Sequence, residues 1–196
     1  MIARLVLAIV TLVFLGSAAF AQSPAPRSIV STGLQATPAD VRSAHLAQVH
    51  RMKCGDAQAS YYREADEWHH IDLDGDGSDE YVVFLTLEGF GGGNNYSRYL
   101  VVYRYVDPVW FASTVLLVGG KGDASVGGHV LRLSGADLST DAMFYGPQDP
   151  TCCASVPGRL RFEIGVGGAL EPIEHPRSDQ AAAYRFMLMF SSRCNQ

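Results

Sequence analysis

Charge is scarce in this chain of 196 residues: Asp, Glu, Lys and Arg together make up 18%, and 20 acids against 15 bases leave a formal charge of −5. A basic face of the kind that neutralises phosphates has no source here, so nucleic acid is excluded as a partner class. Hydrophobic residues reach 47%, so the composition is not that of a disordered chain. Cysteine is limited to four residues, and neither a C-x-x-C redox motif nor paired zinc-finger spacing occurs among them. The sequence also has no G-x-S-x-G elbow, no H-E-x-x-H and no G-K-[ST] after its glycine-rich stretch, so the common hydrolase, zincin and P-loop signatures are absent.

One apolar run stands out. Leu5 to Leu15 follows the basic Arg4 and precedes Ala19-Phe20-Ala21, small residues at the positions a signal peptidase reads. The pattern predicts a secretory signal peptide over 1–21, because a membrane span needs roughly 20 apolar residues. No later run is long enough to span, so the mature chain is expected in the periplasm or secreted from a bacterial cell, with no membrane span. In such an oxidising compartment Cys54, Cys152, Cys153 and Cys194 read as disulfide candidates. Three pairings are possible, one of them a vicinal Cys152–Cys153 bond.

Residues 22–36 mix Pro, Ser, Gly and Ala without periodicity and read as a flexible lead-in to a single β-rich domain over 37–196. A helix is predicted over 38–53, with Thr37 as N-cap, Pro38 at N1, and Val41, Ala44, Leu46, Val49 and Met52 as its apolar stripe. From Trp68 onward the pattern is that of strands, at 81–87, 98–105, 110–118, 127–134, 141–146, 158–165, 169–173 and 183–190. A glycine-rich hairpin, Gly89 to Asn95, separates the first two. The fold class that follows is mainly β (α+β): an antiparallel sheet, or a small barrel or sandwich, with one N-terminal amphipathic helix. Aromatics such as Trp68, Tyr81, Phe84, Tyr99, Tyr103 and Trp110 fall on these strands and read as core instead of a carbohydrate platform.

The strongest motif is Asp72-Leu73-Asp74-Gly75-Asp76-Gly77-Ser78-Asp79-Glu80. Acids at the first, third, fifth and ninth positions, with glycine at the sixth, suit a hard cation that seeks oxygen, and the seventh ligand would be the Ser78 carbonyl. Without a cation each close carboxylate pair costs on the order of 4 kcal/mol at an effective dielectric near 20. Position 12 is Val83 and a strand follows, which excludes an EF-hand. His69 and His70, just upstream, point to opposite faces of a strand, so one is expected packed and the other exposed.

The stretch DLDGDGSDEYVVFL resembles the calcium loops of FG-GAP and VCBS-type β repeats, in which D-x-D-x-D-G-x-x-[DE] runs directly into an apolar strand. The resemblance implies Ca2+ held by Asp72, Asp74, Asp76 and Glu80. More broadly, the acidic loop, the glycine-rich hairpin and Asp149-Pro150-Thr151-Cys152-Cys153 are similar to a set of bacterial exported proteins with a D-P-x-C-C segment, which implies architecture and compartment and no activity. The function these readings favour is an exported, non-catalytic, calcium-binding β domain whose partner is a protein or envelope component. A secreted hydrolase, and a thiol-active protein using Cys152 and Cys153, are the alternatives.

Overall fold

The computed structural model describes residues 26–32, 37–53, 58–89, 93–121, 124–150 and 152–173, with the side chains of 124–129 left aside. The expected signal peptide, Cys54, Cys194 and the strand expected at 183–190 lie outside the described residues.

Among the described residues, ten strands and one α-helix follow in the order β1 (Arg27–Val30), α1 (Ala39–Met52), β2 (Ser60–Tyr61), β3 (Glu67–Ile71), β4 (Glu80–Glu88), β5 (Tyr96–Val106), β6 (Val109–Gly120), β7 (Ala124–Ser134), β8 (Asp137–Phe144), β9 (Val156–Ile164) and β10 (Leu170–Pro172). From β4 to β10 the chain is an antiparallel meander, with β2 and β3 beside β4 and β1 beside β7. Strands β6 and β7 meet at one register pair, Gly120 with Ala124, and there the meander divides into two antiparallel sheets.

The two sheets face each other. Val82, Phe84, Leu100 and Val102 from the first sheet pack with Leu131, Leu138, Leu160 and Phe162 from the second. The alternate residues of the first sheet, among them Tyr81, Val83, Leu85, Val101 and Tyr103, pack with Val41 and Val49 of α1. Strand β4 is therefore covered on both faces, which is why Tyr81 to Leu85 reads as an unbroken apolar run. Strands β8 and β9 bury one face only: Leu138, Thr140, Leu160 and Phe162 turn inward, while Arg132, Arg159 and Asp141 pair on the outer face.

Three details differ from the sequence reading. The lead-in contains β1, which buries Ile29 against β7, a pairing that a four-residue stretch cannot announce on its own. Helix α1 has Pro38 as its N-cap without a side-chain cap bond, and Thr37 is buried instead of capping. Along the helix Leu46 is exposed, and His45 takes its place on the buried face beside Val41 and Val49. Among the described residues no helix is long and apolar enough to cross a membrane.

Candidate metal site

Residues 72–79 form the turn that joins β3 to β4, whose last register pair is Ile71 with Glu80. The loop folds on its own carboxylates. Gly75 and Gly77 donate their N–H groups to the two oxygens of Asp72 at 2.8 and 3.1 Å, and Ser78 donates to Asp76 Oδ1 at 2.7 Å. Both glycines have positive φ, 75° and 89°, a region that side chains disfavour. Leu73 anchors the loop by burying its side chain in the core between the sheets, and its N–H donates to Glu80 Oε2 at 2.9 Å.

This geometry brings Asp72, Asp74 and Glu80 together, with one oxygen from each within 4.8 Å of the other two. Glu80 is buried, and burial pushes its carboxyl above the usual carboxylate range, with Asp74 adding to the shift and the Leu73 amide and Arg104 opposing it. Arg104 on β5 lies against the cluster, Nη2 at 3.2 Å from Asp74 Oδ2 and 3.6 Å from Asp76 Oδ2, and Nε at 3.4 Å from Glu80 Oε1. An internal cation thus offsets part of the repulsion that the sequence assigns wholly to a bound ion. Above it runs the turn Gly165–Ala169. Gly167 has φ 74°, a conformation that side chains disfavour, and a Cβ there would stand 2.3 Å from Arg104 Nη1 and push the guanidinium aside. Beside the loop a cleft of about 540 Å³ is lined by Leu73, Asp74, Asp76, Gly135, Ala136 and the 164–167 segment, and Asp74 is thus shared between cluster and cleft.

The chain matches no family model, no curated protein and no solved structure. What the site can do rests on its own geometry: three carboxylates on a short, internally bonded turn can hold a metal ion. Asp76 stands outside the three-residue cluster, its side chain 47% exposed and turned to Arg104. Ser78 is exposed. Of the two histidines, His69 is buried, while His70 is exposed, stacks on Tyr81 and pairs with Asp79 at 3.2 Å. Cys152 and Cys153 lie at disulfide distance from each other. The turn that carries them is tied by Asp149, which accepts from the Gly146 and Ser155 amides at 2.7 and 2.8 Å. Those two amides and the Ser155 hydroxyl hold the Asp149 carboxyl below its usual range.

One polar cluster escaped the sequence reading. His45, on the buried face of α1, reaches Tyr103 Oη from Nδ1 at 2.9 Å, and Tyr61 Oη and Asp66 Oδ2 from Nε2 at 2.9 and 3.0 Å. Tyr61 also donates to Asp66. One proton arrangement serves the whole set: Tyr103 donates to Nδ1, Nε2–H donates to Tyr61 and Asp66, and the Tyr61 hydroxyl donates to Asp66. Burial holds both phenols well above their ordinary range, helped at Tyr61 by its hydrogen bond to Asp66 and at Tyr103 by the Asp66 charge. No local motif signals this group, since its members lie 16, 21 and 58 residues from His45.

Proposed function

We propose that the chain is an exported, non-catalytic β domain that binds calcium in the turn between β3 and β4 and engages a protein or envelope component outside the cytoplasm. The observation that carries the reading is the convergence of Asp72, Asp74 and Glu80 beside an open cleft. Oxygen-only donors favour calcium over zinc, which seeks nitrogen and sulfur, and over magnesium, which demands a stricter octahedron. The loop's likeness to FG-GAP and VCBS calcium loops supports the same ion. Export is supported by the apolar run before Ala21 and by a cysteine pair at disulfide distance, a state that oxidising compartments maintain. The hydrolase alternative gains nothing from His45 and Asp66. His45 is 1% exposed and both its ring nitrogens are engaged, so the pair serves to hold α1 on the sheet.

Calorimetric titration of chelator-treated protein tests the proposal. One calcium site with Kd of roughly 10⁻⁴ to 10⁻³ M is expected, the range of extracellular modules. Asp74→Ala should weaken it by about tenfold or more, since losing a direct ligand costs at least as much as losing an outer-shell partner, about 10–100-fold. Absence of saturable heat in wild-type protein at 10 mM calcium, about ten times the weak end of that range, would remove the calcium reading.

A further inference from the structure

On the face of the first sheet that carries α1, four rings are linked in one chain of contacts, which reaches from β4 across β5 to β6 and back to β5. His70 of β3 stacks on Tyr81 of β4 at 4.6 Å, Tyr81 meets Trp110 of β6 edge to face at 5.3 Å, and Trp110 meets Tyr105 of β5 at 5.4 Å. Helix α1 covers the sheet only as far as this row. Its first turn stops there, where Asp40 accepts the Trp110 indole N–H at 3.0 Å. His70 is exposed and Tyr105 is half exposed, so the outer end of the row meets solvent. Three exposed carboxylates flank it: Asp79 beside His70 at 3.2 Å, Asp107 accepting the Tyr105 hydroxyl at 3.2 Å, and Asp40. The charges that reach Tyr81 are those of Asp40 and Asp79, and those that reach Tyr105 are Asp107 and Asp40, all negative.

From this juxtaposition we infer that the aromatic row is a docking surface for a basic peptide segment, whose Arg or Lys side chains lie over the Tyr105 and Trp110 rings and between the flanking carboxylates. A cation over an aromatic face gains from the ring quadrupole, and guanidinium gains most because it is planar and weakly hydrated. Helix α1 opposes a cation with about half a unit of positive charge at its N-terminus, but three full carboxylates outweigh it. Carboxylates stand at both ends of the row, Asp79 at one and Asp107 at the other, so an extended chain bearing spaced cations fits better than one compact headgroup. Of the acidic turn the surface uses only Asp79, which lies outside the Asp72, Asp74 and Glu80 cluster, so the inference stands apart from the calcium proposal.

The test follows the Trp110 indole N–H by NMR in the presence of chelator, which keeps the outcome independent of calcium. The probe is a five-residue capped peptide with two arginines separated by glycine, and its control is the same peptide with citrulline in place of arginine. A saturating shift with the arginine peptide is expected, about tenfold weaker with citrulline, the size of a modest cation–π and ion-pair gain. Tyr105→Ala and Asp107→Asn should each weaken it severalfold, and raising salt to about 0.5 M should weaken it further because the charges are exposed to screening. Equal binding of the citrulline peptide, indifference to both substitutions, or a shift produced by phosphatidylcholine vesicles and not by the peptide would each overturn the inference.

Discussion

His45 carries three polar contacts in a place where a helix ordinarily buries leucine. Its neighbours Val41 and Val49 supply apolar contact, but the imidazole and Asp66 fix how α1 sits on the sheet, because the Asp66 side chain is fully buried and needs donors. Removing the ring leaves that carboxylate with the Tyr61 hydroxyl alone. His45→Ala is therefore expected to cost about 1–3 kcal/mol, the penalty for a buried polar group left short of partners, measured by urea unfolding. Asp66→Asn, which removes the charge together with the demand for donors, should cost less than half as much. Equal losses would mean that lost packing, and not the carboxylate left short of partners, sets the cost. None of this was legible in the sequence. A histidine between two valines at helical spacing is one polar residue on an amphipathic face, and its partners come from β2, β5 and the segment before β3.

Among the elements, those that depend on local residues were readable and those that depend on distant pairing were not. Strand β4 and the acidic turn before it appear where the pattern puts them, because one is a continuous apolar run and the other an Asp/Gly alternation that bonds to itself. The three carboxylates at its centre were legible for the same reason. Arg104 was not, since it arrives from β5 by tertiary packing. Strand β1 and the division between β6 and β7 were equally hidden. Gly120, which pairs with Ala124 at that division, lies against the Tyr96 backbone of β5: a Cβ there would stand 2.8 Å from Tyr96 O, which also accepts from the Lys121 N–H at 3.2 Å. The neighbour is backbone and cannot turn aside. Gly120→Ala should thus destabilise the fold by about 1–3 kcal/mol through overpacking, whereas Gly135→Ala, at φ 58° in open space, carries only the left-handed backbone penalty, about 1 kcal/mol at its low end. Thermal unfolding of the two variants decides this, and an equal effect would deny the close approach its role.

For the molecule as a whole, the acidic turn sits where the layers join. Ile71 and Leu73 belong to the core between the sheets, Tyr81 to the core under α1, and Arg104 and the 165–169 turn bring β5 and the second sheet to the same place. An ion held by Asp72, Asp74 and Glu80 would clamp all of them, and the unfolded chain, with its carboxylates apart, would not bind it comparably. By linkage, calcium at 100 times Kd should add about 2.7 kcal/mol, a rise of roughly 5–10 °C in Tm at about 2–4 °C per kcal/mol for a chain of this size. Arg104 sets the baseline for that rise. It already lies against Asp74 and Glu80, so a calcium ion must share those oxygens with the guanidinium or displace it. Arg104→Gln should therefore lower Tm in chelator, where the carboxylates lose their only described counter-ion, and enlarge the rise produced by calcium, where the ion meets no competitor. The two shifts have opposite signs, which separates them from a general loss of stability. A variant whose Tm falls in chelator and whose calcium response shrinks would show instead that Arg104 holds the carboxylates in place for the ion.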